Sequence, residues 1–598
     1  MKHFLLITGI FLTLFSVTLG QDNSTQTGTL TGTVIDAQTG EPLSGANVLI
    51  LETVMGTASN LDGGFRITNI PAGEYAVQIT VIGYAAKVDS VTIRRNQTTT
   101  LNAELRQTVI QSAQLVVTGA KRSVRVQESP VSISSVTSAD LEMRMPSTII
   151  EVLPLEPGVQ EVGGQINIRG SSGYSRGAGS RVMVLIDGIP MLASDNGGIY
   201  WDAIPVQHIE NIEILKGAGS ALYGSSALGG VINVLTSPIS RTPKTLINAQ
   251  GGWYPFSSHD SWQWRQDNLL SGKFHISHEN RQGKLGYRIG LGYDGSPGYY
   301  QNGWFKRMNM QGKFTYQPDQ STRWSSRIFL VNDEHGVFTQ WRSAHEPFNA
   351  PLESINDYIE TSKYQVALNY SKIVSYRIAH QWRSSYYRTS FQNFLHNSDD
   401  FSTANTFRSE WQTDYQFTPS HIITVGFDGS FSNITANVWN DHTTFDGAAY
   451  IQDEFEFNIR TKLNAGVRFS YSQVDEIQSN IQVNPKFGLN YKFSESWSMR
   501  TSIGRGYRVP SISERFIDTQ QGLFSVKPNP DLNPEVSWTY EIGTRIAQPQ
   551  WTLNVAGFYN YFEDFIEPQP DPADGRIFFD NITNAQILGA ESRLKFQV

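Results

Sequence analysis

From Thr245 onward the chain repeats one pattern: apolar and polar side chains alternate strictly. In 462–472, Leu463, Ala465, Val467, Phe469 and Tyr471 fall on one face, and Lys462, Asn464, Gly466, Arg468 and Ser470 on the other. In 496–504, Trp497, Met499, Thr501 and Ile503 oppose Ser498, Arg500, Ser502 and Gly504, and Tyr364, Val366, Leu368 and Tyr370 repeat the arrangement. A period of two sends successive side chains to opposite faces of a strand. The pattern therefore predicts antiparallel strands with one aliphatic, aromatic-ended face and one polar face. A soluble sandwich would alternate over shorter strands, whereas several of these runs reach roughly 9 to 11 residues, enough to cross a bilayer at a tilt. Connections alternate as well: 316–321 and 417–420 are tight, while 332–361 and 392–406 are long, polar and aromatic, as the two rims of a membrane barrel require.

The preceding residues read differently. Residues 130–238 predict a mixed α+β unit. Val131 to Ser134 alternates as a strand, Ser138 and Ser147 stand as helix N-caps, and Pro154 is expected to end the second helix. Two β-branched runs, 212–215 and 231–235, flank a segment rich in small residues, and polar glycine-rich loops interrupt the strands at 171–178 and 191–199. Further upstream, 28–106 shows short strands with turn signals between them, which predicts a small β-sandwich. Between these units, 107–129 is polar, with a basic pair at Lys121-Arg122 and one apolar knot, Gln114-Leu115-Val116-Val117-Thr118. A short extended apolar segment in a flexible linker is suited to adding a strand to a partner's sheet edge.

Composition narrows the class. At 598 residues, several domains are expected. Aromatics make up 12 %, yet mean hydropathy is negative and only 17 % of residues are charged. After the first twenty residues no apolar run is long enough for a membrane helix, so spanning by strands is the reading that accommodates the aromatics. Residues 1–20 carry Lys2 and the apolar run 4–19, and end on Thr18-Leu19-Gly20; they read as a secretory signal. The net charge of -8 argues against a nucleic-acid partner. The absence of Cys excludes disulfides and thiolate metal sites.

Several motifs in one order now carry a resemblance. Pro157-Gly158-Val159, Ile166-Asn167-Ile168-Arg169-Gly170, the segment 181–190 and the stretch 209–236 resemble, in order, the plug domain of TonB-dependent outer-membrane receptors. Thr39-Gly40-Glu41-Pro42-Leu43-Ser44-Gly45-Ala46 resembles the carboxypeptidase regulatory-like domain that precedes many such receptors of Bacteroidetes type. Gly506-Tyr507-Arg508-Val509-Pro510-Ser511, the segment 528–535, Tyr540-Glu541-Ile542-Gly543 and Gly589-Ala590-Glu591 resemble landmarks of the receptor barrel. The resemblance implies a signal peptide at 1–20, a β-sandwich at 28–106, a linker with a TonB box at 107–129, a plug at 130–238 and a transmembrane barrel at 239–598. The fold expected is mainly β: an antiparallel barrel with an α+β plug in its lumen. About 22 strands are expected of a plugged transporter, against roughly fifteen or sixteen candidate runs after residue 240, and the family's terminal aromatic strand is not found. A C-terminally truncated copy is therefore expected, with a naturally smaller barrel as the alternative.

The same resemblance makes residues 114–118 the TonB box, which docks a TonB-type energy-transducing protein in the periplasm. It implies location in the outer membrane with its lipid as a partner, the N-terminal domain in the periplasm, and import of a scarce nutrient such as a siderophore, cobalamin or haem. Candidate ligand contacts are Tyr174, Arg176, Asp195 and Asn196 at the plug apex and His335, Trp341, Arg342 and His345 in an outer loop, because Arg, Trp and Tyr hold anionic or aromatic chelates by charge-assisted hydrogen bonds and stacking. No phosphate-binding loop or catalytic constellation is found, and neither enzyme activity nor a cofactor or resident metal is expected. The sandwich contains no His, so a zinc carboxypeptidase reading fails for lack of ligands. His275 and His278, three apart on a predicted strand, face opposite sides and cannot share a metal. A passive porin and a surface adhesin barrel are the rival readings.

Overall fold

The alternation becomes an eighteen-stranded sheet whose strands pair in chain order, from Lys244–Tyr254 to Ile577–Phe596. Two of these, Thr519–Gln521 and Phe524–Val526, form a short hairpin within the connection between Trp497–Arg508 and Glu535–Gln548, which themselves pair antiparallel. The other sixteen are long, 11 to 20 residues each. The computed structural model describes residues 27–596 apart from 38, 52, 82–83, 85, 107–114, 117, 120, 123, 172–177, 266–268, 397, 476–477 and 522–523. Two compact units divide the chain, one formed within residues 1–106 and the other from Gln107 onward.

In the long sheet the two faces separate by polarity in the sense opposite to that of a water-soluble protein. Val366, Phe469 and Ile481 stand exposed, while Lys363, Gln365, Arg468 and Asn484 are buried on the inner face. His275 is buried inside and His278 faces out, where it bonds the hydroxyl of Thr245, as strand periodicity requires. The connections expected at 332–361 and 392–406 shrink to 337–357 and 395–400, because the strands run on through their polar ends. Asn332 still pairs Ser362 and Asp333 pairs Thr361. A ladder is a main-chain structure and does not stop where side chains turn polar.

The sheet surrounds a smaller five-stranded one. Its order is Ile133–Thr137, Ile209–Lys216, Gly230–Thr236, Val182–Ile186 and Ile189–Pro190. The pair between 182–186 and 230–236 is parallel, and the others are antiparallel. Near-continuous apolar runs are what strands covered on both faces need, and Val182, Val184, Ile212, Ile214 and Ile232 have no exposed surface. Asp187-Gly188 is the two-residue turn into Ile189–Pro190; both residues have positive φ, the geometry of the tight hairpin that an Asp-Gly pair favours. The Asp187 carboxylate also accepts the amide and hydroxyl of Thr236, at 2.9 and 2.7 Å, tying the turn to the neighbouring strand.

Helix starts fall one residue from their expected caps. Thr137, not Ser138, caps Ser138–Arg144, its hydroxyl accepting from the Asp140 amide while the Asp140 carboxylate accepts from the Thr137 amide. Thr148, not Ser147, precedes the next turn, and Glu151 reaches back to the amides of both. That segment is two short 3-10 turns, Ile149–Glu151 and Leu153–Leu155, with Pro154 inside the second. A first turn has no amide partner for Pro to lose, so the proline is accommodated there.

Within residues 27–106 two four-stranded sheets form. Thr27–Asp36 pairs Gly64–Pro71, Thr98–Thr100 and Ala103–Leu105, while Asn47–Ile50 pairs Gly56–Ala58 and Gly73–Thr80, which pairs Lys87–Ile93. Leu30, Val34, Val48, Ile50, Ile70, Val77 and Ile79 have no exposed surface. Gly32 marks the closest backbone approach, because a β-carbon there would lie 1.7 Å from the Leu101 carbonyl oxygen. Gly32→Ala is expected to destabilise this module by about 1–3 kcal/mol, read as faster proteolysis within residues 27–106 of the full chain with the cleavage pattern beyond residue 130 unchanged.

Candidate functional site

The knot at 115–118 is not free. Leu115–Val116 pairs antiparallel with Val124–Arg125, and Thr118 is buried. The Thr118 amide and hydroxyl donate to one carboxylate oxygen of Glu213, at 2.8 and 2.5 Å, and the Tyr223 hydroxyl donates to the Thr118 carbonyl at 3.0 Å. Glu213 lies on Ile209–Lys216, next to the middle of the inner sheet. Gln114 and Val117 lie outside the described residues, and of Leu115 and Val116 only the backbone is described.

The chain that follows is held just as firmly, where the sequence predicted a flexible polar linker. Lys121 is buried, donates to Glu410, and lies 4.6 Å from the centre of the Tyr450 ring. Burial draws its ammonium down to about 8, although Glu410 pulls the other way. Arg122 makes a bidentate pair with Glu454, at 2.7 and 2.6 Å. Glu128 accepts from Lys462 and Lys492, both at 2.9 Å. Burial alone would raise its carboxyl, but the two ammonium groups outweigh it and hold it at about 2.

At the other end of the plug, Asp195 is an anchor. It is buried, and its carboxylate accepts from the Ser402 hydroxyl at 2.7 Å and the Asn196 amide at 2.8 Å. Burial raises this carboxyl even against those bonds. Its carbonyl takes the Ser513 amide, and Ser194 shares a bond with Thr406, so the loop is stitched to the wall. The Asn196 side chain folds back on the Gly198 amide at 2.7 Å. Tyr174 and Arg176 lie outside the described residues.

The four outer-loop candidates do not converge. His335, next to last in the strand Thr322–Gly336, lies within hydrogen-bond distance of the Asp333 carboxylate, at 2.7 Å. Arg342 bonds the Ala350 carbonyl of its own loop. Trp341, 61 % exposed, and His345 face solvent. Nearby aromatics do gather. Trp262 packs edge-on against Phe348 at 5.6 Å, Phe348 against Tyr299 at 5.0 Å, and His259 tilts over Trp262 at 4.3 Å. These come from three different connections, which is why sequence spacing alone did not reveal them.

The sequence reading also missed the seat of the plug. Arg169 donates to Glu541 and Glu591, both at 2.7 Å. Arg181, with no exposed surface, donates to Glu535 at 2.6 Å and to the Ile566 carbonyl, and its guanidinium lies 3.9 Å from the centre of the Phe565 ring. Glu535 is shared with Arg508, which also pairs Glu514. On the opposite side, Arg307 bridges Asp202 of the plug and Asp333 of its own wall, both at 2.7 Å. Among the described residues no group of three or more His, Asp or Glu side chains forms a metal-binding cluster.

This arrangement, a mixed-sheet plug seated by buried ion pairs in a wall of long antiparallel strands, has clear relatives. Residues 241–597 match the family model described as "TonB dependent receptor-like, beta-barrel", 125–231 match the "TonB-dependent Receptor Plug Domain", and 30–117 match the "CarboxypepD_reg-like domain". The chain belongs to the TonB-dependent receptors. Curated relatives include a vitamin B12 transporter, BtuB, of Vibrio vulnificus, 27 % identical over 82 % of this chain and 76 % of the relative. Another is an iron-regulated outer membrane virulence protein of Vibrio cholerae, 24 % identical over 81 % and 75 %. Among solved structures, the siderophore receptor PirA from Pseudomonas aeruginosa aligns with a TM-score of 0.63 at 18 % identity, covering 77 % of this chain and 81 % of that one. The receptor is thus an outer-membrane β-barrel protein of a transport family.

Two outcomes follow for the receptor. Arg181→Met leaves Glu535 with one of its two buried cations, and losing one partner of a buried pair costs about 3–5 kcal/mol; the plug should unfold at lower urea than the wall, followed by a fluorophore on the plug. Glu128 keeps its stabilising contact fully above about pH 4.5 and loses it as pH falls toward 2. Amide exchange across 124–129, corrected for intrinsic rates, should rise over that window, and Glu128→Gln should flatten the dependence.

Proposed function

We propose that the receptor imports a scarce nutrient, a metal chelate of the siderophore, cobalamin or haem kind, using force transmitted by a TonB-type protein in the periplasm. The observation that carries the reading is the bonding of Thr118 to Glu213. It ties the proposed docking segment, residues 114–118, to a strand of the plug, so a pull on one loads the other. Support for the cargo comes from relatives and fold neighbours named for vitamin B12, siderophores and, in one complex, a hemophore with heme. In this reading residues 1–20 direct export, 28–106 fold in the periplasm, 107–129 couple, 130–238 gate and 239–598 form the wall. Ligand is met by the plug apex loops, with Tyr174, Arg176 and Asn196, and by the outer aromatic rim with Trp341 and His345. Asp195, His335 and Arg342 act in this reading by holding those surfaces in place. A passive porin is disfavoured because the plug fills the lumen with paired charges.

Deleting residues 114–118 is expected to abolish energy-dependent uptake of whichever probe is transported among a ferric siderophore panel, cyanocobalamin and haemin, while binding of that probe to the purified receptor is unchanged. Uptake that survives the deletion sinks the account.

A further inference from the structure

At the end of the wall where the strands are joined by tight turns, a cavity of about 910 Å³, its open mouth included, lies between the plug strand Ile133–Thr137 and the last four long strands. Five cations line it: Lys216, Arg500, Arg545, Arg593 and Lys595. Three are already matched. Lys216 reaches Glu591 at 3.3 Å, Arg500 reaches Glu541 at 3.0 Å, and Arg593 donates to Glu156 at 2.6 Å. Arg545 is different. The charged groups that act on it are Arg500 and Arg593, both cations; its one bond is to the Asn554 side chain at 3.3 Å, and its Nε is buried without a hydrogen-bond partner among the described residues. Lys595 likewise makes no ion pair among the described residues, although the Asp140 carboxylate feels its charge.

A guanidinium whose charged neighbours are both cations, as at Arg545, is costly to bury unless an anion joins it. A planar guanidinium matches the two oxygens of a carboxylate or phosphate, and the Thr552 hydroxyl on the same wall can donate a further hydrogen bond to such an anion. We infer that this cavity is an anion-binding site for carboxylate or phosphate groups, held chiefly by Arg545 and Lys595. It rests on the import reading only for its purpose: a station between plug and wall that receives the acidic groups of a cargo after the plug has yielded. The binding itself stands apart from transport.

The test uses the full-length receptor in detergent micelles at low ionic strength, with citrate, inorganic phosphate and, as a neutral control, glucose, followed by calorimetry. Citrate or phosphate should bind and glucose should not. Arg545→Gln with Lys595→Gln should weaken anion binding at least tenfold, and Arg545→Lys should retain part of it. Heat-modifiable gel mobility reports whether each variant is folded, and Lys595→Gln alone, at a half-buried position, gives a second, gentler reading. Tighter binding of citrate points to cargo carboxylates as the natural occupant, and tighter binding of phosphate to a phosphate of the periplasm. The inference is overturned if neither anion binds, or if the double and Lys595→Gln variants bind as the native receptor does. The deletion of 114–118 should leave this binding intact, so loss of uptake in that variant and loss of the anion site are separate results.

Discussion

A charge taken out of water inside the lumen is costly unless an opposite charge or hydrogen bonds meet it, and that cost governs how plug and wall fit. Arg169 is met by Glu541 and Glu591, Arg181 by Glu535, Lys121 by Glu410, and Asp202 by Arg307. The partners come from different strands around the wall, so the pairs set the plug's rotation as well as its depth. Replacing buried pairs with well-packed apolar residues is often neutral or stabilising, so strength alone does not account for them. Apolar contact is present too, since Phe329, Val331 and Tyr387 of the wall join the cluster that holds Ile212 and Ile232.

This charge matching also explains why the inner face is so polar. A wall with lipid outside places most of its apolar side chains outward, leaving most of the inner face to hydroxyls, amides and ions. The plug therefore meets that face with two strategies. Its own sheet packs apolar clusters on both faces, and its rim offers the bonds the wall needs, as Asp195 does to Ser402 and Ser132 to Glu541.

Much of this was legible in the chain before any coordinates. Period-two alternation at 462–472 and 496–504 located strands and their faces, because pleating enforces it locally. The strands at 212–215 and 231–235 and the opposed His275 and His278 were readable for similar local reasons. The ion pairs were not. Arg169 and Glu541 were visible as family landmarks, yet 372 positions separate them, and no spacing rule links residues that only the folded plug and wall bring together. Thr118 and Lys121 were hidden for a related reason: a short polar segment has no period, and burial comes from outside partners such as Glu213 and Glu410. The proposed outer ligand residues were chosen by type along one loop, whereas the aromatic gathering there draws on three.

The position of Ile133–Thr137 has a mechanical meaning. It is the edge of the inner sheet, paired on one side only with Ile209–Lys216, and it is the first sheet strand reached from the N-terminal side. A pull entering along the chain at residue 118, as proposed, would first load the bonds to Glu213, the pairs of Lys121 with Glu410 and Arg122 with Glu454, and the Glu128 contacts, and then come to an edge. An edge strand can be stripped one hydrogen-bonded pair at a time, whereas a strand with neighbours on both sides gives way only when two ladders fail together. Under the proposed coupling by a pull on residues 114–118, the order of residues along the chain makes unravelling from this margin the path of least force, while the central strands and the ion pairs at Arg169 and Arg181 lie further along the chain.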